Sequence, residues 1–261
     1  MKSFPLALPT AALLLAALAA APAQAQSQMV TITVENLAPS NGIAFAPLHF
    51  GFNNGSFDAF NMGSTAGDAI VSVAEGGSGS AWQPAFAAAD PNAVRGTIGG
   101  LLLSGATASM TVTVDPSVNP YFTFASMVVP SNDFFIGNDS PTAFRVFNAS
   151  GQLAIGSFDI KANQIWDAGD EVFDPAAAAF VGNNDLRSPQ NSVVALNFGE
   201  LAGFNGLTTA AGYVFTSGLT ADTGVYRISF TAVPVPEPGS YALMLAGLLG
   251  VGAIVRRRSR V

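Results

Sequence analysis

The sequence predicts an all-β fold, an antiparallel β-sandwich with one short helix and long loops, and three observations carry that prediction. Short segments alternate apolar and polar residues with a period of two and are rich in β-branched side chains. Clusters of glycine, asparagine and serine punctuate them. There is no cysteine, so an apolar core must hold the fold, and a chain of 261 residues is long enough to supply one.

In chain order, Val30, Ile32 and Val34 alternate with Thr31, Thr33 and Glu35, the pattern of a half-buried strand. A short helix follows: Ser64 or Thr65 can cap it, and Asp68 stands three residues after Thr65 in capping-box spacing. Its Ala66, Ile70, Val73 and Ala74 share a face, and Gly76-Gly77 ends it. Met110, Val112 and Val114 alternate with Thr111, Thr113 and Asp115, a second strand. Tyr121–Val129 is nearly unbroken apolar sequence and reads as a strand buried on both faces. Residues 144–147 and 152–160 flank the turn signal Asn148-Ala149-Ser150-Gly151 and predict a hairpin. Residues 181–191 read as a long surface loop, and 225–233 close the domain with Tyr226, Ile228 and Phe230 on one face. No repeat or linker interrupts this series, so residues 26–233 form one domain.

The two ends have a different character. Residues 1–25 open with Met1-Lys2, run through an Ala/Leu stretch and finish Ala23-Gln24-Ala25, the form of a secretory signal cleaved after Ala25. Residues 240–255 are uncharged and precede Arg256, Arg257, Arg258 and Arg260. As a helix that run reaches ~24 Å, a little short of a ~30 Å hydrocarbon core, and crosses it by thinning the bilayer or snorkelling its flanks. The arginines then stay cytoplasmic. Pro236-Glu237-Pro238 stands just before the apolar run. Pro-Glu-Pro, an apolar helix and a terminal Arg cluster, in that order, resemble the PEP-CTERM sorting signal of Gram-negative bacteria. The resemblance covers residues 234–261. It implies an exosortase-type processing enzyme as partner, a transient inner-membrane anchor, removal of the tail, and delivery to the cell surface or extracellular matrix.

Between the ends lie sixteen acidic and five basic residues (Arg95, Arg145, Lys161, Arg187, Arg227), a net charge of −11. Phosphate backbones would repel such a domain, which excludes nucleic-acid partners. The absence of cysteine excludes thiol catalysis and Cys-ligated zinc, and the single histidine, His49, excludes His-rich metal sites.

The acids point to a cation instead. Trp166-Asp167-Ala168-Gly169-Asp170-Glu171 packs three carboxylates into five residues, with Asp174 beyond. Gly169 lets the backbone turn so that acids on either side converge, as a hard, oxygen-seeking ion requires. Lys161 is the only basic residue in this stretch, so no local salt bridge is expected to neutralise the cluster. A solvated acidic loop is the competing reading, and the spacing does not match an EF-hand.

Several segments follow one another in an order that resembles a known family. They are Gly55-Ser56-Phe57-Asp58, the helix through Ala74-Glu75, Ala125-Ser126-Met127-Val128-Val129-Pro130-Ser131-Asn132-Asp133-Phe134-Phe135-Ile136-Gly137, and Trp166-Asp167-Ala168-Gly169. Together they resemble the spondin N-terminal domain of F-spondin and mindin, which also occurs in bacterial secreted proteins. The resemblance implies a C2-like β-sandwich that holds one Ca2+ ion at a loop end. The ligands it implies are Asp133, Asp167 and Glu171. This chain has Asp170 then Glu171 where the animal pattern has Thr then Asp, so Asp170 stands as the alternative to Glu171.

Catalytic signals are sparse. His49, between Leu48 and Phe50, reads as a packed side chain, and no Gly-x-Ser-x-Gly elbow is present. The expected function is that of an exported, surface-sorted, calcium-binding adhesion or extracellular-matrix protein, non-enzymatic, with an extracellular polysaccharide or surface protein as partner. The alternative is a secreted carbohydrate-active hydrolase using two loop carboxylates. Trp82 and Trp166 are the only tryptophans it would have for sugar stacking.

Overall fold

A computed structural model describes residues 27–233, together with 244–245 and 247–248 of the tail. The leader with its cleavage site at Ala25, the sorting tripeptide Pro236-Glu237-Pro238 and the arginine cluster lie outside the described residues. In chain order the strands are β1 (Gln28–Asn36), β2 (Ala44–Phe45), β3 (Leu48–Asn53), β4 (Val94–Ile98), β5 (Thr107–Val114), β6 (Tyr121–Val129), β7 (Phe134–Gly137), β8 (Ser157–Lys161), β9 (Trp166–Asp167), β10 (Ala195–Leu196) and β11 (Gly224–Val233). Two short helices, α1 (Asp68–Gly76) and α2 (Trp82–Ala89), lie between β3 and β4.

The strands form two antiparallel sheets, ordered β5-β1-β11-β8 and β10-β9-β7-β6-β3-β4, with β2 paired to β6 beside the second. Alternation decides which faces meet. Val30, Ile32 and Val34 of β1 and Ile228 and Phe230 of β11 are buried against Phe50, Phe52, Phe122 and Phe124 of β3 and β6. The aromatic rings interlock across the gap, Phe230 lying 5.0 Å from Phe122 and 5.9 Å from Phe52, centroid to centroid. This is the expected sandwich. The outer face of the larger sheet is covered in turn by α1 and α2, whose Ile70, Val73, Trp82 and Phe86 pack on Ala125 and Phe135. That second layer is why Tyr121–Val129 has no polar face.

Three local expectations are corrected. First, α1 begins at Asp68 with Gly67 as its cap and no side-chain capping bond; Ser64 stands before it, its N–H donating to the Asn61 carbonyl and its carbonyl accepting from the Val194 N–H. Its end is as expected: Gly77, at φ 60°, donates back to the Ser72 and Val73 carbonyls. Second, α2 exists where only one helix was expected. Its Pro84 falls in the first turn, where a missing N–H costs no helical bond. Third, the turn at 148–151 forms, with Asn148 N–H bonding the Gln152 carbonyl, but only a single bridge, Phe147 to Leu153, follows it. Ser157–Lys161 pairs with β11 instead, and the two flanks meet through the stacked rings of Phe144 and Phe158, 3.9 Å apart.

Candidate functional site

The site is built where β6 leaves the sandwich. Residues 130–133 link β6 to β7, and β7 lies beside β9 with Phe134 opposite Asp167 and Phe135 opposite Trp166. Asp133, just before β7, and Asp167, the last residue of β9, therefore occupy the same end of the same sheet. The Ala168 N–H donates to the Asp133 backbone carbonyl at 3.2 Å.

Gly169 turns the chain at φ 70°, and a Cβ there would lie 2.7 Å from the Val193 carbonyl oxygen. Only glycine fits this bend. The turn aims the N–H groups of Asp170 and Glu171 at Asp133 Oδ2, at 2.8 and 3.1 Å. Asp167 is fastened in the same way, its Oδ1 accepting from Gly169 N–H at 2.8 Å and its Oδ2 from Asn197 Nδ2 at 3.0 Å. Both acids are buried. Burial, and next the neighbouring charge of Asp167, push the Asp133 carboxyl up to about 7.

Glu171 is buried too, but it faces another way. Its Oε1 lies 3.2 Å from Arg187 Nε, and its Oε2 is buried without a hydrogen-bond partner. Burial raises its carboxyl, opposed by the charge of Arg187. Arg187 also reaches Glu75 at the end of α1, through Nη1 to Oε2 at 3.3 Å and through Nη2 to the backbone carbonyl at 2.6 Å. The Glu75 carboxyl is pushed up to about 7, chiefly by burial and then by Asp170 beside it. Asp174 does not join the cluster: its Oδ1 accepts from Ala176 N–H at 2.8 Å, and its backbone pairs with the Asn132 side chain.

Glu75, Asp133, Asp167, Asp170 and Glu171 thus gather at one end of the molecule. Lys161, the one cation within that stretch, pairs with Asp222 at 2.9 Å, and the cation that reaches the cluster comes from outside it: Arg187, on the long loop after β9, pairs with Glu75 and Glu171. Among the described residues, no three acid or histidine side chains converge as a ready-made metal site. The donors nonetheless suit a hard cation chemically, being all oxygen, with Asp133, Asp167 and Glu171 buried and Glu75 and Asp170 half-buried. An open groove of about 480 Å³ lies on the adjoining loops, lined by Phe180, Asn183, Asn184, Thr208 and Thr209. His49 takes no part. It is buried with Nδ1 3.0 Å from Thr97 Oγ1 and Nε2 3.0 Å from the Gly77 carbonyl, and burial lowers its pKa.

Glu75 and Arg187 escaped the reading of the sequence as members of this site. Two signals pointed to them. A glutamate in the last turn of a helix opposes the macrodipole and needs a compensating partner. One of only five cations among sixteen acids has few places to go except the densest cluster.

No curated protein matches the chain, and no comparison supports a spondin domain over residues 27–233. At the C-terminus the finding is definite: residues 234–259 match the PEP-CTERM protein-sorting motif. The chain carries the signal that implies export, processing by an exosortase and sorting to the cell surface.

Proposed function

We propose that the protein serves at the cell surface as a non-enzymatic adhesion or extracellular-matrix module, a spondin-type, C2-like sandwich that binds calcium through Asp133, Asp167 and Glu171. Asp170 is the alternative to Glu171. One observation carries this reading: the buried carboxylates of Asp133, Asp167 and Glu171 gather at one end of an exported domain where, among the described residues, Arg187 alone pairs with the cluster as a cation. The orphaned Oε2 of Glu171 and the raised Asp133 beside Asp167 both mark negative charge that a divalent ion would relieve. Calcium takes six to eight oxygens, so carbonyls or waters would complete its shell. In this reading Arg187 is an internal competitor for the charge of Glu171, and the ion ties the loop before β7 to the loop after β9. The neighbouring groove, with its amides, hydroxyls and Phe180, is the surface best suited to an extracellular polysaccharide or a surface protein.

The carboxylates favour a binding role because they are fastened. Both oxygens of Asp167 and the Oδ2 of Asp133 already accept hydrogen bonds. The competing reading, a carbohydrate-active hydrolase, draws on the carboxyls of Asp133 and Glu75, pushed up to about 7, the range of a general acid.

Melting of residues 26–233 in calcium and in EDTA tests the proposal. At free calcium 100 times Kd the gain is ~2.7 kcal/mol. Asp167→Asn is expected to abolish the difference and Arg187→Gln to enlarge it. Equal melting of the wild type in the two buffers would remove calcium from the reading. Hydrolysis of glycans lost on Asp133→Asn would transfer the assignment to the hydrolase.

A further inference from the structure

Each sheet has two edges, and three of the four are guarded. β8 carries Asp159, held by both prongs of Arg227 at 2.7 and 2.8 Å, and Lys161 with its partner Asp222. β4 is short and roofed by α2, whose Gln83 bonds the Gly96 carbonyl and the Arg95 guanidinium at 2.9 and 2.8 Å. β10 is only two residues long.

β5 has none of these protections. It runs eight residues in unbroken register along β1, without bulge or proline, and residues 96–114 contain no charge. Among the described residues, no backbone hydrogen bond reaches its outer edge. Its inward side chains Ala108, Met110 and Val112 remain half-buried, whereas their partners on β1, Val34, Ile32 and Val30, are sealed. β4 and the turn after it approach the inner face of β5 at Gly96 and Gly99, where added Cβ atoms would meet Met110 and Ala108 at 3.1 Å. Proteins normally blunt a long, neutral, uncovered edge strand, because its free N–H and C=O groups recruit another strand.

We infer that the β5 edge is an interface for a second copy of this chain, paired antiparallel across a twofold axis. Self-pairing fits the strand. Residues opposite one another in an antiparallel pair share a face, so with the axis at Thr111 that residue meets its own copy, Ser109 meets Thr113 of the second molecule, and Met110 meets Val112. The hydroxyl ladder already begun by Thr31 and Thr111, 2.8 Å apart, continues into the second molecule. Charge selects the same edge. Two domains of net charge −11 repel wherever acids face each other, and β5 offers a contact without any. The two four-stranded sheets then become one sheet of eight, linking exported copies side by side.

The absence of native cysteine makes the test direct. A single Thr111→Cys in the full chain, exported by the cell that makes it, provides a unique thiol at the middle of the edge. On intact cells a thiol reagent of about 8 Å is expected to bridge it to a species of twice the mass. Thr31→Cys, on the same face one strand further in, would lie ~14 Å from its counterpart and stay unbridged. Protein released from the surface is expected to have twice the monomer mass in solution, and Thr111→Lys to halve it. Failure of Thr111→Cys to bridge, bridging to a species of another mass, or an unchanged mass for a folded Thr111→Lys would overturn the inference. If Thr111→Lys does not fold, the cysteine result decides.

Discussion

Asp133 has a carboxyl that burial and Asp167 push up to about 7, against an ordinary value near 3.8. Such a group binds more protons in the folded chain than in the unfolded one. Its protonated form therefore favours the fold most at pH values below about 4, and that contribution is lost as pH rises to about 7. Glu75 acts in the same direction. In EDTA, the wild type is expected to lose stability between these limits by this route, and Asp133→Asn to flatten the slope. Urea midpoints measured at a series of pH values check it; parallel profiles for the two proteins would refute the assignment. The bend at Gly169 and the run Asp167, Asp170, Glu171 were legible in the sequence because they lie within one short segment, whereas Asp133 was singled out only by the family resemblance, and its place beside Asp167 depends on the pairing of β7 with β9. Arg187 was not legible, because its pairing depends on where a distant loop comes to rest.

At the scale of elements, the close approach of α2 to the larger sheet depends on one missing side chain. A Cβ at Gly51 in β3 would sit 2.2 Å from Phe86 Cε1 and 2.3 Å from its Cζ. Phe86 cannot yield easily, since it stacks on Phe57 at 4.1 Å and meets Trp82 edge-on at 4.9 Å. Gly51→Ala should cost about 1–3 kcal/mol through overpacking, read as a lower urea midpoint. An unchanged midpoint would show that α2 is not seated on that face. The strands were visible as period-two alternation. α2 was hidden, because Pro84 masks a short helix whose apolar stripe is only Trp82 and Phe86.

At the scale of the whole molecule, the sorting motif determines where the sandwich works. A processing enzyme that reads the tripeptide makes Pro236-Glu237-Pro238 indispensable, whereas a permanent anchor needs only an apolar length and flanking charge. Mass spectrometry of the mature surface protein is expected to find residues 1–25 absent and the chain ending between residues 234 and 238. Replacing Pro236-Glu237-Pro238 by alanines should leave an uncleaved, membrane-retained form. Intact tail peptides carrying Arg256–Arg258 in the mature protein would instead mean a permanent anchor.

What the sequence determined by itself is local or terminal in nature. The alternation of Val30, Ile32 and Val34, the doubly apolar β6 and the order of parts in the tail each depend on neighbours a few residues apart. Tertiary structure alone decided what pairs across distance. It set β8 against β11 rather than against residues 144–147, brought Arg187 and Glu75 to the acids, and left the β5 edge without a paired strand among the described residues. Strand partners and ion pairs are chosen by the packing of whole faces, and no window of sequence contains both members of such a pair.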